Sequence, residues 1–266
     1  MEHIQQEPAQ MTTACRTDLG IRQYKCEVCH DTGWILEKQD VADYGREILF
    51  AKPCERCRAQ RRLSDITGVP AEYSDNDISK IKWDIYGRDL SKLQRICEDF
   101  VFHYQDRWAK ANKGIYLWSS VCGSGKTHII TALMRSVMIK YDIQARFILT
   151  ADYINMIGDR IRRQQIDDLT AVYRTCDLLV IDDIGTGKTG DWQIEQMFRL
   201  INTRTSNGLI TLYTSNCAVG ELATVDERCK SRILRNSVVL QMPEVSIRNQ
   251  QAQEQQSKFL ADIIGR

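Results

Sequence analysis

Ile115-Tyr-Leu-Trp-Ser-Ser-Val-Cys-Gly-Ser-Gly-Lys-Thr127 decides the fold. Its first four residues are a short apolar run of strand type. The last eight, Ser120 to Thr127, fit the phosphate-loop pattern G-x-x-x-x-G-K-[ST] at all but the leading glycine. Gly123 and Gly125 let backbone N–H groups turn inward around a phosphate with no Cβ in the way. Lys126 brings a mobile positive charge, and the Thr127 hydroxyl is of the kind that ligates Mg²⁺. Ser120 stands where the leading glycine is usual, which constrains the loop. Downstream of the loop, Ile130, Leu133, Met134 and Val137 share the face of an amphipathic helix. That helix adds its N-terminal dipole to the phosphate site.

The pattern continues outward from the loop. A strand over Arg146–Thr150 precedes a helix with Ile154, Ile157 and Ile161 on one side. The strand Leu178–Ile181 ends in Asp182 and Asp183. A helix carrying Ile194, Met197, Phe198 and Ile201 leads into the strand Ile210–Thr214. Fully apolar short strands alternating with helices predict an α/β fold whose parallel sheet is covered on both faces, with the ligand at the strand ends.

Asp182 and Asp183 close an apolar strand, the arrangement in which the first carboxylate holds Mg²⁺ opposite Thr127 and the second acts as general base on a water. Tyr213-Thr-Ser-Asn216 closes the next strand, where an asparagine can bond both the γ-phosphate and the lytic water. The nucleotide site so read takes ATP with Mg²⁺ on Val121, Cys122, Gly123, Ser124, Gly125, Lys126, Thr127 and His128. A second G-K-T, Gly187-Lys-Thr189, has Asp182 in the place of the leading glycine and reads as a surface loop.

The front of the chain has a different composition. Cys26-Glu-Val-Cys29 and Cys54-Glu-Arg-Cys57 are two C-x-x-C units with residues 30–53 between them, a four-thiolate set of the kind that surrounds Zn²⁺. A redox pair is the rival reading, but one C-x-x-C suffices for that. His30 could substitute for one thiol. Arg56, Arg58, Arg61 and Arg62, with Lys52 nearby, form a basic cluster that suits DNA or an acidic protein surface. The boundaries expected are a tail at 1–22, a zinc-binding domain at 23–62, a linker at 63–89 and the nucleotide-binding domain at 90–266.

Net charge is +1, from 36 basic and 35 acidic residues, so any contact with nucleic acid must come from a local patch. No apolar run approaches the roughly 18 residues of a membrane span. The N-terminus carries no apolar export signal, and four of the ten cysteines fall in paired C-x-x-C motifs, which points to reduced thiols in the cytoplasm.

Beyond these motifs, Leu200-Ile-Asn-Thr-Arg204, Asp226-Glu-Arg-Cys-Lys-Ser-Arg232 and Ser246-Ile-Arg248 follow in order. The whole succession, over about residues 65–250, resembles the DnaC/DnaI-type loaders of the replicative helicase and the related IstB transposition helpers, AAA+ ATPases of the P-loop class. The resemblance implies that Arg232, supported by Arg228, is an arginine finger reaching the γ-phosphate on a neighbouring subunit, and that Arg248 touches the nucleotide of its own subunit. With Asp183 and Asn216, Arg232 completes the catalytic set. It implies hydrolysis of ATP, assembly through the ATPase domain, a hexameric replicative helicase and single-stranded DNA as partners, no membrane, and an N-terminal zinc domain that docks on the helicase. A transposition helper and an ATP-binding zinc-ribbon adaptor without turnover are the alternatives.

Overall fold

The computed structural model describes residues 26–28, 34–41, 46–54, 67–164, 170–185, 190–222 and 225–264. Two compact units divide the chain, Met1–Ala59 and Gln60–Arg266. In the first, strands β1 (Trp34–Val41) and β2 (Arg46–Pro53) pair antiparallel, Trp34 opposite Pro53 and Val41 opposite Arg46. Cys26 and Cys54 flank this hairpin, and both are buried.

The second unit is built on five parallel strands: β3 (Gly114–Trp118), β4 (Ala145–Leu149), β5 (Leu178–Asp182), β6 (Ile210–Ser215) and β7 (Ser237–Gln241). Their order across the sheet is β4-β5-β6-β3-β7. Helices α1 (Ser91–Phe102), α2 (Lys126–Tyr141), α3 (Thr150–Arg162), α4 (Ala171–Thr175), α5 (Asp191–Ser206), α6 (Glu227–Asn236) and α7 (Ile247–Ile264) follow in chain order. Side chains alternate across a strand, and β5 shows why its run is wholly apolar. Leu178 and Val180 enter one core with Phe100, Leu117, Ile130 and Leu133, while Leu179 and Ile181 enter the other with Tyr116, Met197, Leu200 and Tyr213. This is the AAA+ P-loop fold, a parallel sheet flanked by helices.

Two local expectations change. The helix after the phosphate loop is buried almost all round rather than on one face, Ile129, Thr131, Ala132 and Ser136 included. Its outer side is covered by residues 67–89, a strap of three 3₁₀ turns. There Asn76 Nδ2 donates to His128 O and Thr131 Oγ1 at 3.2 and 2.9 Å, and Ile78 N–H donates to Ser136 Oγ at 3.1 Å. Thr150 opens α3 instead of closing β4, freeing its hydroxyl to donate to Asp182 O at 3.1 Å. The final helix runs from Ile247 to Ile264, and Phe259, Leu260 and Ile263 on it are exposed. Among the described residues no helix is long and apolar enough to cross a membrane.

Candidate functional site

The phosphate loop leaves β3 at its C-terminal end and closes on the first turn of α2. Gly123 and Gly125 have φ of 78° and 90°, the left-handed region open to glycine. A Cβ at Gly123 would stand 2.9 Å from Ser246 Oγ and from Arg248 Cβ, and one at Gly125 would stand 2.5 Å from the Tyr86 hydroxyl. Ser120 is outside the left-handed region, so serine holds the leading position without backbone strain, and its hydroxyl donates to Glu244 Oε1 at 2.9 Å.

Lys126 is 8% exposed, and its ammonium donates to Ser119 O, Val121 O and Ser124 Oγ at 3.3, 3.2 and 3.4 Å. Burial lowers its pKa, opposed by Cys122, Asp183 and Asp182. The Thr127 hydroxyl donates to both oxygens of Asp182, at 3.1 and 3.2 Å. Asp182 is buried at the end of β5. Burial raises its pKa, against the hydrogen bonds of Thr214 and Thr127 that lower it.

Asp183 has φ of 57°, a left-handed backbone that aspartate tolerates better than most residues. In a continuing strand it would face away from Asp182; the turn lets both carboxylates act on Lys126. Thr214 fastens this corner. Its hydroxyl donates to Asp182 Oδ1 and accepts the Asp183 N–H at 2.9 Å, and its carbonyl accepts from Ile184 N–H at 2.9 Å. Asn216 Nδ2 then donates to Asp183 Oδ1 at 3.0 Å. The pieces found separately in the sequence, Lys126, Thr127, Asp182, Asp183 and Asn216, thus share one edge of the sheet. A cation, a hydroxyl–carboxylate pair suited to a hard divalent ion, and a second carboxylate oriented by an amide make an arrangement fit for phosphoryl transfer to water.

A cleft of about 520 Å³ opens beside the loop. Tyr73, Lys80, Lys82 and Tyr86 of the strap line it, together with Ile247, Arg248 and Gln251 of α7. His128 is in its wall, in edge contact with Tyr73, and burial lowers its pKa. Exposed Cys122 and half-buried Val121 complete the loop. Arg248 lies at the loop through its backbone, whose N–H donates to Gly123 O at 3.2 Å.

Arg232 has other partners. Its Nε donates to Asn202 Oδ1 at 2.9 Å and its Nη1 to Arg228 O at 3.0 Å. The guanidinium carbons of Arg228 and Arg232 stand 3.9 and 5.0 Å from the Phe198 ring centre. Arg228 also pairs with Asp226 at 2.6 Å. The two arginines therefore form a stacked pair over α5 and α6.

In the N-terminal unit, Cys26 and Cys54 bring their Sγ atoms to 3.8 Å. Cys29, Cys57, His30 and the basic cluster Arg56, Arg58, Arg61 and Arg62 lie outside the described residues, as does the Gly187–Thr189 loop. Among the described residues no group of three or more His, Cys, Asp or Glu is placed to hold a metal.

Thr150, Thr214 and Tyr86 are parts of the site that the sequence reading missed. Thr214 carried a signal, since it stands two residues before Asn216 in the run that closes the strand. Thr150 and Tyr86 carried none, because only the fold brings them to the loop.

Comparison with known proteins places the core. Residues 100–239, more than half of the chain, match the family model described as the bacterial DnaA ATPase domain. The DnaA initiator of Roseiflexus castenholzii is 30% identical over 142 residues, which cover 53% of this chain and only 29% of that protein. The uncharacterized protein YqaM of Bacillus subtilis is 25% identical over 86% of this chain and 81% of its own. Among solved structures, the DnaC helicase loader (TM-score 0.58, 20% identity, 65% of this chain and all of that one) and DnaI (0.58, 19%, 68% and all) share the fold. With the phosphate loop, the paired strand-end carboxylates and the sheet order all falling in or beside the matched stretch, the chain belongs to the family of the bacterial DnaA ATPase domain.

Proposed function

We propose that this chain is an ATP-driven loader that delivers a hexameric replicative DNA helicase onto single-stranded DNA at the start of replication. Membership of the DnaA ATPase-domain family and the fold shared with DnaC and DnaI support a role in replication initiation. The observation that carries the ATPase part is the double pairing beside Lys126, Thr127 with Asp182 and Asn216 with Asp183.

Lys126 meets the β- and γ-phosphates, exchanging its long contacts to loop oxygens for phosphate oxygens. Thr127 and Asp182, oxygen donors 3.1 Å apart, fit Mg²⁺ between them. Bound there, the ion would neutralise charge on the phosphates. Asp183 takes a proton from the attacking water, and the Asn216 amide holds that carboxylate in aim. Arg248 contacts the nucleotide of its own subunit. Arg232 enters the site of a neighbouring copy, so turnover depends on assembly.

Zn²⁺ suits the N-terminal unit. Two thiolates bound tetrahedrally at about 2.3 Å from one zinc stand roughly 3.8 Å apart, and that is the separation of Cys26 and Cys54. Cys29 and Cys57 complete the set, and the unit with its basic cluster docks on the helicase. Metal analysis of the purified chain is expected to give one zinc per chain, lost in Cys54→Ser. A metal-free native chain overturns the zinc reading alone.

The test of the loader is direct. Purified chain, a hexameric replicative helicase, circular single-stranded DNA and ATP are mixed, and the helicase retained on DNA is measured after gel filtration. Wild type is expected to raise retention several-fold, and Arg232→Ala to bind ATP while losing hydrolysis. Equal retention with and without the chain overturns the loader and favours the transposition-helper reading of the same ATPase.

A further inference from the structure

Two segments from outside the phosphate loop grip its backbone. From the strap, the Tyr86 hydroxyl donates to the carbonyl of Ser124 at 2.9 Å. From the start of α7, the Arg248 N–H donates to the carbonyl of Gly123 at 3.2 Å. Each grip falls on the outward carbonyl of a peptide whose N–H belongs to the next residue. In a trans peptide the C=O and N–H point in opposite directions in one plane, and no described peptide is cis. Holding Ser124 C=O outward therefore aims Gly125 N–H into the loop, and holding Gly123 C=O outward aims Ser124 N–H the same way.

The glycines fit this account. The Tyr86 oxygen occupies the space a Cβ on residue 125 would need, at 2.5 Å, so the position is glycine for contact as well as for its φ of 90°. Tyr86 is itself fixed. It is 6% exposed, its ring belongs to the core with Ile129, Leu133 and Ile247, and Gly87 behind it ends the 3₁₀ turn Asp84–Tyr86 in left-handed backbone. Burial pushes its pKa up to about 12, so the phenol keeps its proton and remains a donor at any physiological pH.

We infer that Tyr86 is a positioning residue for phosphate binding: its hydroxyl pins the Ser124 carbonyl so that the Gly125 N–H is set for the phosphate chain. This rests on the reading of the loop as an ATP site. It assigns to the strap before the core a direct part in nucleotide affinity, distinct from any contact with base or ribose. Since the N–H meets the phosphates alike before and during reaction, the loss should appear in KM and not in kcat.

Tyr86→Phe removes only the hydroxyl and keeps the packed ring. Calorimetric titration with ATP and with inorganic tripolyphosphate is expected to show both weakened by the same factor, about fivefold, the effect of roughly one neutral hydrogen bond. KM for ATP should rise similarly with kcat unchanged, and the full chain should keep its native circular dichroism. Undiminished affinity for both ligands in Tyr86→Phe, with wild type binding ATP, overturns the inference and leaves the ATP site standing. Weakened ATP with unchanged tripolyphosphate also overturns it, because the hydroxyl then serves base or ribose. Wild type that binds no ATP, like Lys126→Ala, defeats the site reading and this inference together.

Discussion

Lys126 and Arg204 are both buried cations of the ATPase core, 8% and 0% exposed, and burial lowers the pKa of each. They lie at opposite ends of one parallel sheet, Lys126 past the end of β3 and Arg204 against the beginning of β6. Every nitrogen of Arg204 has an acceptor. Its Nε donates to Thr211 Oγ1 at 2.9 Å, Nη1 to Tyr173 O and Cys176 O at 2.8 and 2.9 Å, and Nη2 to Ile210 O at 2.7 Å. Among the described residues no carboxylate pairs with it. Its acceptors are three backbone carbonyls and one hydroxyl at the end of α4 and the start of β6, and the planar guanidinium fork can serve them together as an ammonium could not.

Lys126 has three partners at 3.2 to 3.4 Å, all oxygens of the loop it belongs to. Hydrogen bonds at those lengths are weak, and a phosphate can replace them at little cost. Two carboxylates, Asp182 and Asp183, favour its charged form from nearby. Burial alone therefore does not separate a cation proposed to meet phosphate from a structural one. What separates them is whether the donors are already spent.

Exchanging each cation for a neutral side chain of similar length is the strongest way to break this contrast. Arg204→Met leaves several buried carbonyls without donors, at about 1–3 kcal/mol for a single unsatisfied group. A loss of roughly 3 kcal/mol in urea unfolding is expected, about 6–12 °C in melting midpoint for a domain of this size, while the folded fraction binds ATP as wild type does. Lys126→Met is expected to do the reverse. ATP affinity should fall at least about 100-fold, close to 2.7 kcal/mol, while the ligand-free chain melts no lower than wild type. Should Lys126→Met unfold as easily as Arg204→Met, the lysine is structural and the contrast collapses.

The same contrast explains what could be read in advance. Strand-end carboxylates, the G-S-G-K-T run and the apolar strands are short-range patterns, and they pointed to the sheet, its candidate ligand edge and four of the groups gathered there, Lys126, Thr127, Asp182 and Asp183. Asn216 was legible through its order after two other motifs. Arg204 was visible only as part of a family motif, since nothing in Leu-Ile-Asn-Thr-Arg states that its acceptors sit at Tyr173, Cys176 and Ile210. Tyr86 and Thr150 were illegible for the same reason: their partners, Ser124 and Asp182, are brought near by tertiary packing. The one-faced pattern expected of the loop helix failed because the strap that buries its other side is polar and irregular. Its Asn76, Ile78 and Tyr86 look like linker residues until the contacts to His128, Ser136 and Ser124 are seen. The backbone turn at Asp183 is also tertiary in origin, being held by Thr214 from the neighbouring strand.

A finer version of the comparison removes one partner from each cation. Thr211→Val deletes the acceptor of Arg204 Nε and keeps the β-branched shape that suits β6. Ser124→Ala deletes the farthest of the Lys126 contacts, at 3.4 Å. Both side chains are buried, so exposure does not distinguish them. Thr211 Oγ1 is the acceptor that Nε has, so losing it strands a buried donor, and Thr211→Val should cost about 1 kcal/mol in ligand-free urea unfolding. The lysine ammonium can rotate toward Ser119 O or Val121 O, so Ser124→Ala should cost less than about 0.5 kcal/mol, the ordinary range for a substitution that breaks nothing specific. Equal costs would mean that the lysine contacts are as tight as those of the arginine. The phosphate would then have to compete with the loop for Lys126, and ATP affinity in Ser124→Ala should rise rather than stay level.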